Sequence, residues 1–239
     1  NVTVKYTFTW QGSDLNITAK GHAAHSSVPE NGINAITYLA DSLSGITWPN
    51  NASGSLVNFI NTYLGNDLYG EKFGNLAYSD DFMGAMSVSV THLNQKENGI
   101  QLNINTRRPR GKSQSRLVKE LTSLLNEWRK RTNINLLHLE SDFGEPWVQT
   151  NAPHLETLLS VFKTYSKLKN VQPISSSGST NSAMFPNALV FGPAMPDKEY
   201  TGHTEHEFIT KEQLVMNIKM YTAAMIELTK DANIHNNTN

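Results

Sequence analysis

At 239 residues, 38% hydrophobic and 17% charged, the chain is long enough for two modest domains with apolar cores, which excludes a fibrous, membrane-spanning or wholly disordered protein. Lys and Arg number 20 against 21 Asp and Glu, so a formal charge of −1 offers no global field to nucleic acid or anionic lipid. Without cysteine there is no disulfide framework, thiolate metal site or cysteine nucleophile, and any metal must rest on His, Asp and Glu. Taken in chain order, Val2, Val4, Tyr6, Phe8 and Trp10 alternate with polar residues, and after the turn residues Gln11–Asp14 the alternation resumes at Leu15, Ile17 and Ala19. That pattern predicts a β-hairpin. Pro29, Asn31 and Gly32 then break the chain before Ile36, Leu39, Ala40 and Leu43, whose spacing predicts a helix, and a second helix is expected over Leu56 to Leu64. Met86 to Val90 and Ile100 to Ile104 read as another hairpin, Leu117 to Trp128 as a one-sided helix, and Ile134 to Leu139 as a strand. The first region thus reads ββααββαβ.

A turn-rich junction at Asp142, Gly144, Pro146 and Pro153 marks the expected domain boundary. Beyond it the spacing predicts a helix carrying Leu155, Leu158, Leu159 and Phe162, a Ser/Gly run at Ser175 to Ser179, a strand at Ala188 to Phe191, a closing helix from Leu214 to Leu228, and a polar, frayed tail from Asp231. The fold class is therefore α/β (α+β), with an antiparallel, hairpin-rich sheet and helices in the first part. The chain starts at Asn1 rather than Met, so it is expected to begin partway through a longer protein. It shows no basic-plus-apolar leader and no run of about 18 apolar residues, from which a cytoplasmic location is expected.

Four places can carry chemistry. His25 lies in the loop Gly21–Pro29 between a strand and a helix, where an imidazole can donate a hydrogen bond to a developing oxyanion or simply face solvent. His203, His206 and the neighbouring Glu205 and Glu207 could ligate zinc, although a polar helix start explains the same letters. The small residues Ser175–Thr180 would let backbone N–H groups approach a carboxylate, or form an ordinary loop. Arg107, Arg108 and Arg110, at the end of a strand, could hold a substrate carboxylate bidentately or form a solvated basic edge.

Their order resembles that of a zinc metallopeptidase family that includes PepV-type dipeptidases, carnosinase, carboxypeptidase G and succinyl-diaminopimelate desuccinylase. Gly21 to Ala35 is similar to the family's Gly-Lys-x-x-His-x-x-x-Pro-x-x-Gly-x-Asn-Ala stretch, and Leu102 to Pro109 to its strand ending in Arg, one residue and Pro. Ser177–Thr180 with Pro186 and Asn187 resembles its Gly-Gly-Gly-Thr loop and Pro-Asn, and Phe191–Pro193, Pro196, His203 and Glu207 its closing motifs. The resemblance implies that residues 1–142 are an incomplete lid (dimerisation-like) domain, its later part, and that residues 143–239 are the C-terminal portion of a catalytic domain. It implies further that His25 stabilises the oxyanion, that Arg107 binds the substrate's terminal carboxylate, that Ser177, Gly178, Ser179 and Thr180 line the carboxylate site, and that His203 is a zinc ligand. Two zinc ions, a small peptide or N-acyl amino acid substrate, hydrolysis of its amide bond and a homodimer through the lid are the remaining expectations. The sequence departs from the family at His22, Ser177, Ser179 and Ala183, and it contains neither His-x-Asp nor Glu-Glu, in which the family keeps most of its zinc ligands and its general base. The chain is thus expected to be inert without a missing N-terminal catalytic half. The competing reading is a catalytically dead lid-fold module for binding or dimerisation.

Overall fold

The computed structural model describes residues 3–134, 136–176, 178, 180–192, 195, 201–202 and 206–236. The chain divides into two compact units, Asn1–Pro146 with Ser176–Gly178 and Trp147–Ser175 with Ser179–Asn239. Both mix helices with irregular segments, and the strands among the described residues form small antiparallel pairs, a mixed α/β architecture. None of the described helices is long and apolar enough to cross a membrane.

In the first unit β1 (Lys5–Gln11) and β2 (Asp14–Lys20) pair from Lys5↔Lys20 to Gln11↔Asp14, as the alternation predicts. Gly12 supplies the positive φ of 62° that so tight a turn requires. Helix α1 (Ala35–Ser42) is capped by Asn34, whose side chain accepts from the N–H groups of Ile36 and Thr37. Helix α2 (Ala52–Phe59) begins earlier than the apolar spacing suggests, because Asn51 caps it by accepting from Gly54 N–H at 2.9 Å. It continues into a wide π-helical turn, Ile60–Leu64, that buries both Ile60 and Leu64. The short pair β3 (Ser79–Asp80) and β4 (Gly84–Ala85) has no apolar alternation to announce it; the Asp80 carboxylate makes the turn by accepting from the N–H groups of Phe82 and Met83. Strands β5 (Ser87–Lys96) and β6 (Gly99–Arg107) form a longer hairpin than expected, with a bulge between Val90 and His92. Helix α3 (Gln114–Thr132) buries Leu117, Leu121, Leu124, Leu125 and Trp128 on one stripe and stops at Asn133, in the left-handed region at φ 56°.

These elements enclose one core. Leu76, Met86 and Leu117 are fully buried, and the Phe59 ring meets Trp128 edge-on at 5.1 Å and Phe73 at 6.5 Å. Full burial of each such aliphatic side chain contributes about 1.5–3 kcal/mol. The predicted strand at Ile134 to Leu139 does not form among its described residues. Ile134 and Leu136 instead pack on the core, while Leu137 and Leu139 stay exposed and the segment's described residues have no ladder partner.

The second unit contains α4 (Leu155–Ser166) and α5 (Lys211–Asn236), packed through Val161, Met220 and Ala224. α5 continues through the tail expected to fray, as far as Asn236. Nor does Ala188 to Phe191 form the predicted strand: Val190 is 66% exposed, and Phe191 is held by rings, edge-on to Phe162 at 6.5 Å and to Tyr221 at 6.0 Å.

Candidate functional site

The loop that carries His25 is shaped by two close approaches. A side chain on Gly21 would bring its Cβ to 2.0 Å from the Ile33 carbonyl oxygen, and one on Gly32 would meet the Ala24 Cβ at 2.8 Å, so both positions require glycine. Where the backbones meet, His22 and Ile33 exchange two hydrogen bonds of 3.0 and 2.9 Å, which close the loop at its base. Asn34 then does two things at once: its oxygen caps α1, and its amide donates to the Val90 carbonyl at 2.7 Å, fixing the end of the loop to the bulge in β5.

Within the loop, Val28 N–H donates to the His25 carbonyl at 3.0 Å, a turn with Ser26 and Ser27 at its centre. The half-buried His25 ring bonds through Nδ1 to Ser27, with Oγ at 2.7 Å and the N–H donor at 3.3 Å. Ser26 faces Arg107, whose Nε donates to its hydroxyl at 3.2 Å. The buried Ser87, opposite Arg107 in the ladder, donates to the Ser26 carbonyl at 3.0 Å. One loop thus carries both the His25 imidazole and the Ser26 hydroxyl that receives the Arg107 guanidinium from 81 positions away. Ser26, Ser27 and Ser87 were not legible as site residues. The Ser-Ser after a loop histidine is a turn signal, whereas Ser87 shows its role only through a contact 61 positions away.

The other arginines of the run are structural. The Arg108 side chain is 4% exposed and its guanidinium donates to the carbonyls of Phe143, Gly144 and Lys112 and pairs with Glu145 at 2.8 Å, clamping the turn after the core. Arg110 pairs with Asp80 at 3.2 Å, and the Asp80 carboxyl is held below the ordinary carboxylate value by the Met83 N–H first and by Arg110 next. Tyr78 donates to the Pro109 carbonyl at 2.7 Å, and burial pushes its phenol up. Arg107 alone of the run reaches the His25 loop.

The remaining predicted residues are only partly described. Thr180 caps a short 3-10 helix, Asn181–Met184, by accepting from Ser182 N–H, and Gly178 N–H donates to Ser176 Oγ. Ser177, Ser179 and His203 lie outside the described residues. Thr201 and Phe208 clasp each other through Thr201 Oγ1 and the Phe208 backbone at 3.3 Å, while His206 and Glu207 between them are exposed. Among the described residues no three His, Asp or Glu stand together as candidate metal ligands.

Proteins named "Putative dipeptidase" from Staphylococcus aureus strains USA300, NCTC 8325 and MRSA252 are each 26% identical to the chain over 215 residues, covering 90% of it and 44% of the relative. The chain therefore spans less than half the length of the curated relatives it matches. The family described as the peptidase dimerisation domain matches residues 13–161, a span that includes β2, the His25 loop, the β5–β6 hairpin and Arg107. The chain belongs to the peptidase dimerisation domain family.

Proposed function

We propose that the chain is the substrate-covering and C-terminal part of a zinc-dependent peptidase that hydrolyses the amide bond of dipeptides or N-acyl amino acids. Residues 1–142 serve as the lid and 143–239 as the end of the catalytic domain. The observation that carries this reading is that the loop bearing His25 also receives Arg107, through the hydroxyl of the adjacent Ser26. A hydrogen-bond donor for an oxyanion and a planar cation for a carboxylate are the two groups needed at either end of a short free-acid amide substrate. Ser177 to Thr180 add contacts to the carboxylate. His203 contributes one ligand to a site for two zinc ions, whose other ligands come from an N-terminal half outside this chain. When bound, the ions supply Lewis acidity at the scissile amide. The role of this chain is to orient the substrate and stabilise charge, and alone it is inactive. The family's description supports a homodimer formed through the first unit.

The test uses the longer peptidase that contains this sequence. His25→Ala is expected to lower kcat by about 10²–10³ with little change in KM, since a donor aimed at the oxyanion acts in the transition state. Arg107→Ala should penalise a free-acid substrate strongly and its C-terminal amide little, and Arg107→Lys should not restore the difference. Wild-type turnover in His25→Ala together with equal losses on acid and amide in Arg107→Ala would overturn the proposal.

A further inference from the structure

We infer that Ser27 is a positioning residue that fixes the tautomer of His25, holding the neutral ring's proton on Nε2; the functional meaning of that proton rests on the peptidase reading above. A backbone N–H can only donate, and Ser27 N–H points at His25 Nδ1 at 3.3 Å. A ring nitrogen that accepts such a bond carries no proton, and a neutral imidazole has one donor and one acceptor nitrogen. The Ser27 hydroxyl, 2.7 Å from the same Nδ1, therefore donates as well. The alternative tautomer is disfavoured because an Nδ1 proton, even if the hydroxyl turned to accept it, would leave the Ser27 N–H facing another donor. The turn closed by Val28 N–H on the His25 carbonyl places Ser27 so that both of its donors reach the ring. The consequence is an Nε2–H group, the form of a neutral histidine that donates to a developing oxyanion from that atom. A ring free to exchange tautomers would present a lone pair there part of the time, and an anionic oxygen would be repelled by it.

The measurement is proton–nitrogen correlation on the chain carrying ¹⁵N-histidine, without substrate or metal, at a pH where the ring is neutral, with His25 assigned from His25→Gln. Wild type should show His25 protonated at Nε2. Ser27→Ala, which keeps the backbone donor and loses the hydroxyl, should raise the Nδ1-protonated share roughly three- to tenfold, and Ser27→Thr should restore the wild-type ratio. A wild-type ring protonated at Nδ1, or a ratio unmoved by Ser27→Ala, overturns the inference. Because the wild-type spectrum decides the first point, a variant that fails to fold does not remove the test. The two proposals fail separately: Nε2 protonation with full turnover in His25→Ala would sink the oxyanion role and leave the role of Ser27 standing.

Discussion

The two units solve the burial problem differently. Among the described residues the first gathers 15 buried apolar side chains into one cluster, from Ala40 to Phe143, whereas the second gathers three. The contrast is clearest between their long helices. In α3 the apolar residues fall on a single stripe and all of that stripe is covered. In α5, Asn217, Met220 and Ala224 are buried while Leu214, Val215, Ile218, Met225 and Ile226 remain 48–65% exposed around the rest of the helix. A helix apolar on most of its circumference is one whose sequence suits cover on several sides. The first unit therefore holds itself together, and the second draws less of its stability from its own interior.

The largest expected effect tests that difference directly. Leu117→Ala should destabilise the first unit by about 2–5 kcal/mol, and Met225→Ala on α5 should cost less than about 0.5 kcal/mol. Guanidinium titration followed by tryptophan fluorescence reads the first unit through Trp10, Trp48 and Trp128 and the second through Trp147, and comparable losses for the two variants would break the comparison. A smaller effect sharpens it at the site. Asn34→Ala removes a helix cap and the tie to Val90, and should cost the first unit about 2 kcal/mol in the same titration, without loss of cooperativity. If it is neutral, the His25 loop is not anchored through Asn34.

The smallest effect is electrostatic. Burial alone would push the Glu120 carboxyl up, but the hydrogen bonds it accepts from Lys112 and Arg116 outweigh burial and hold it below its ordinary value. A carboxyl depressed in the folded state adds stability above its unfolded value, and that contribution is lost as pH falls from there through the folded value. Glu120→Gln should therefore flatten the acid limb of the first unit's stability by about 1 kcal/mol or less, with little change in the slope near neutrality. Parallel stability–pH curves for the two proteins would remove this pair from the account.

Much of the first unit was legible because its signals are local. Alternation in β1 and β2, the break at Pro29 to Gly32 before α1, and the stripe from Leu117 to Trp128 are each short-range patterns, and each appears in the structure where the spacing puts it. The failures are of two kinds. Ile134 to Leu139 and Ala188 to Phe191 have strand-like composition, but a strand exists only where a neighbour completes its hydrogen bonds, and composition does not show the neighbour. The β3–β4 pair fails in the opposite sense, since a carboxylate turn at Asp80 makes it without any apolar pattern. At the site, His25 and Arg107 were visible as residue types in a motif, but what joins them was not. Ser26 and Ser87 act through contacts 81 and 61 positions away, and no periodicity encodes those.

The bulge in β5 sets how much change the longer hairpin can absorb. Val90 pairs with Ile104 on one side of it and His92 with Asn103 on the other, leaving Thr91 as the extra residue, and Asn34 grips the strand at Val90. Register toward Arg107 is thus pinned from outside the hairpin, independently of the tip at Glu97 and Asn98. Residue pairs could be added or removed at that tip without moving the guanidinium or exchanging the two faces of the ladder. For protein engineering, the tip is accordingly the place in this fold to graft an epitope or a fluorophore-binding loop.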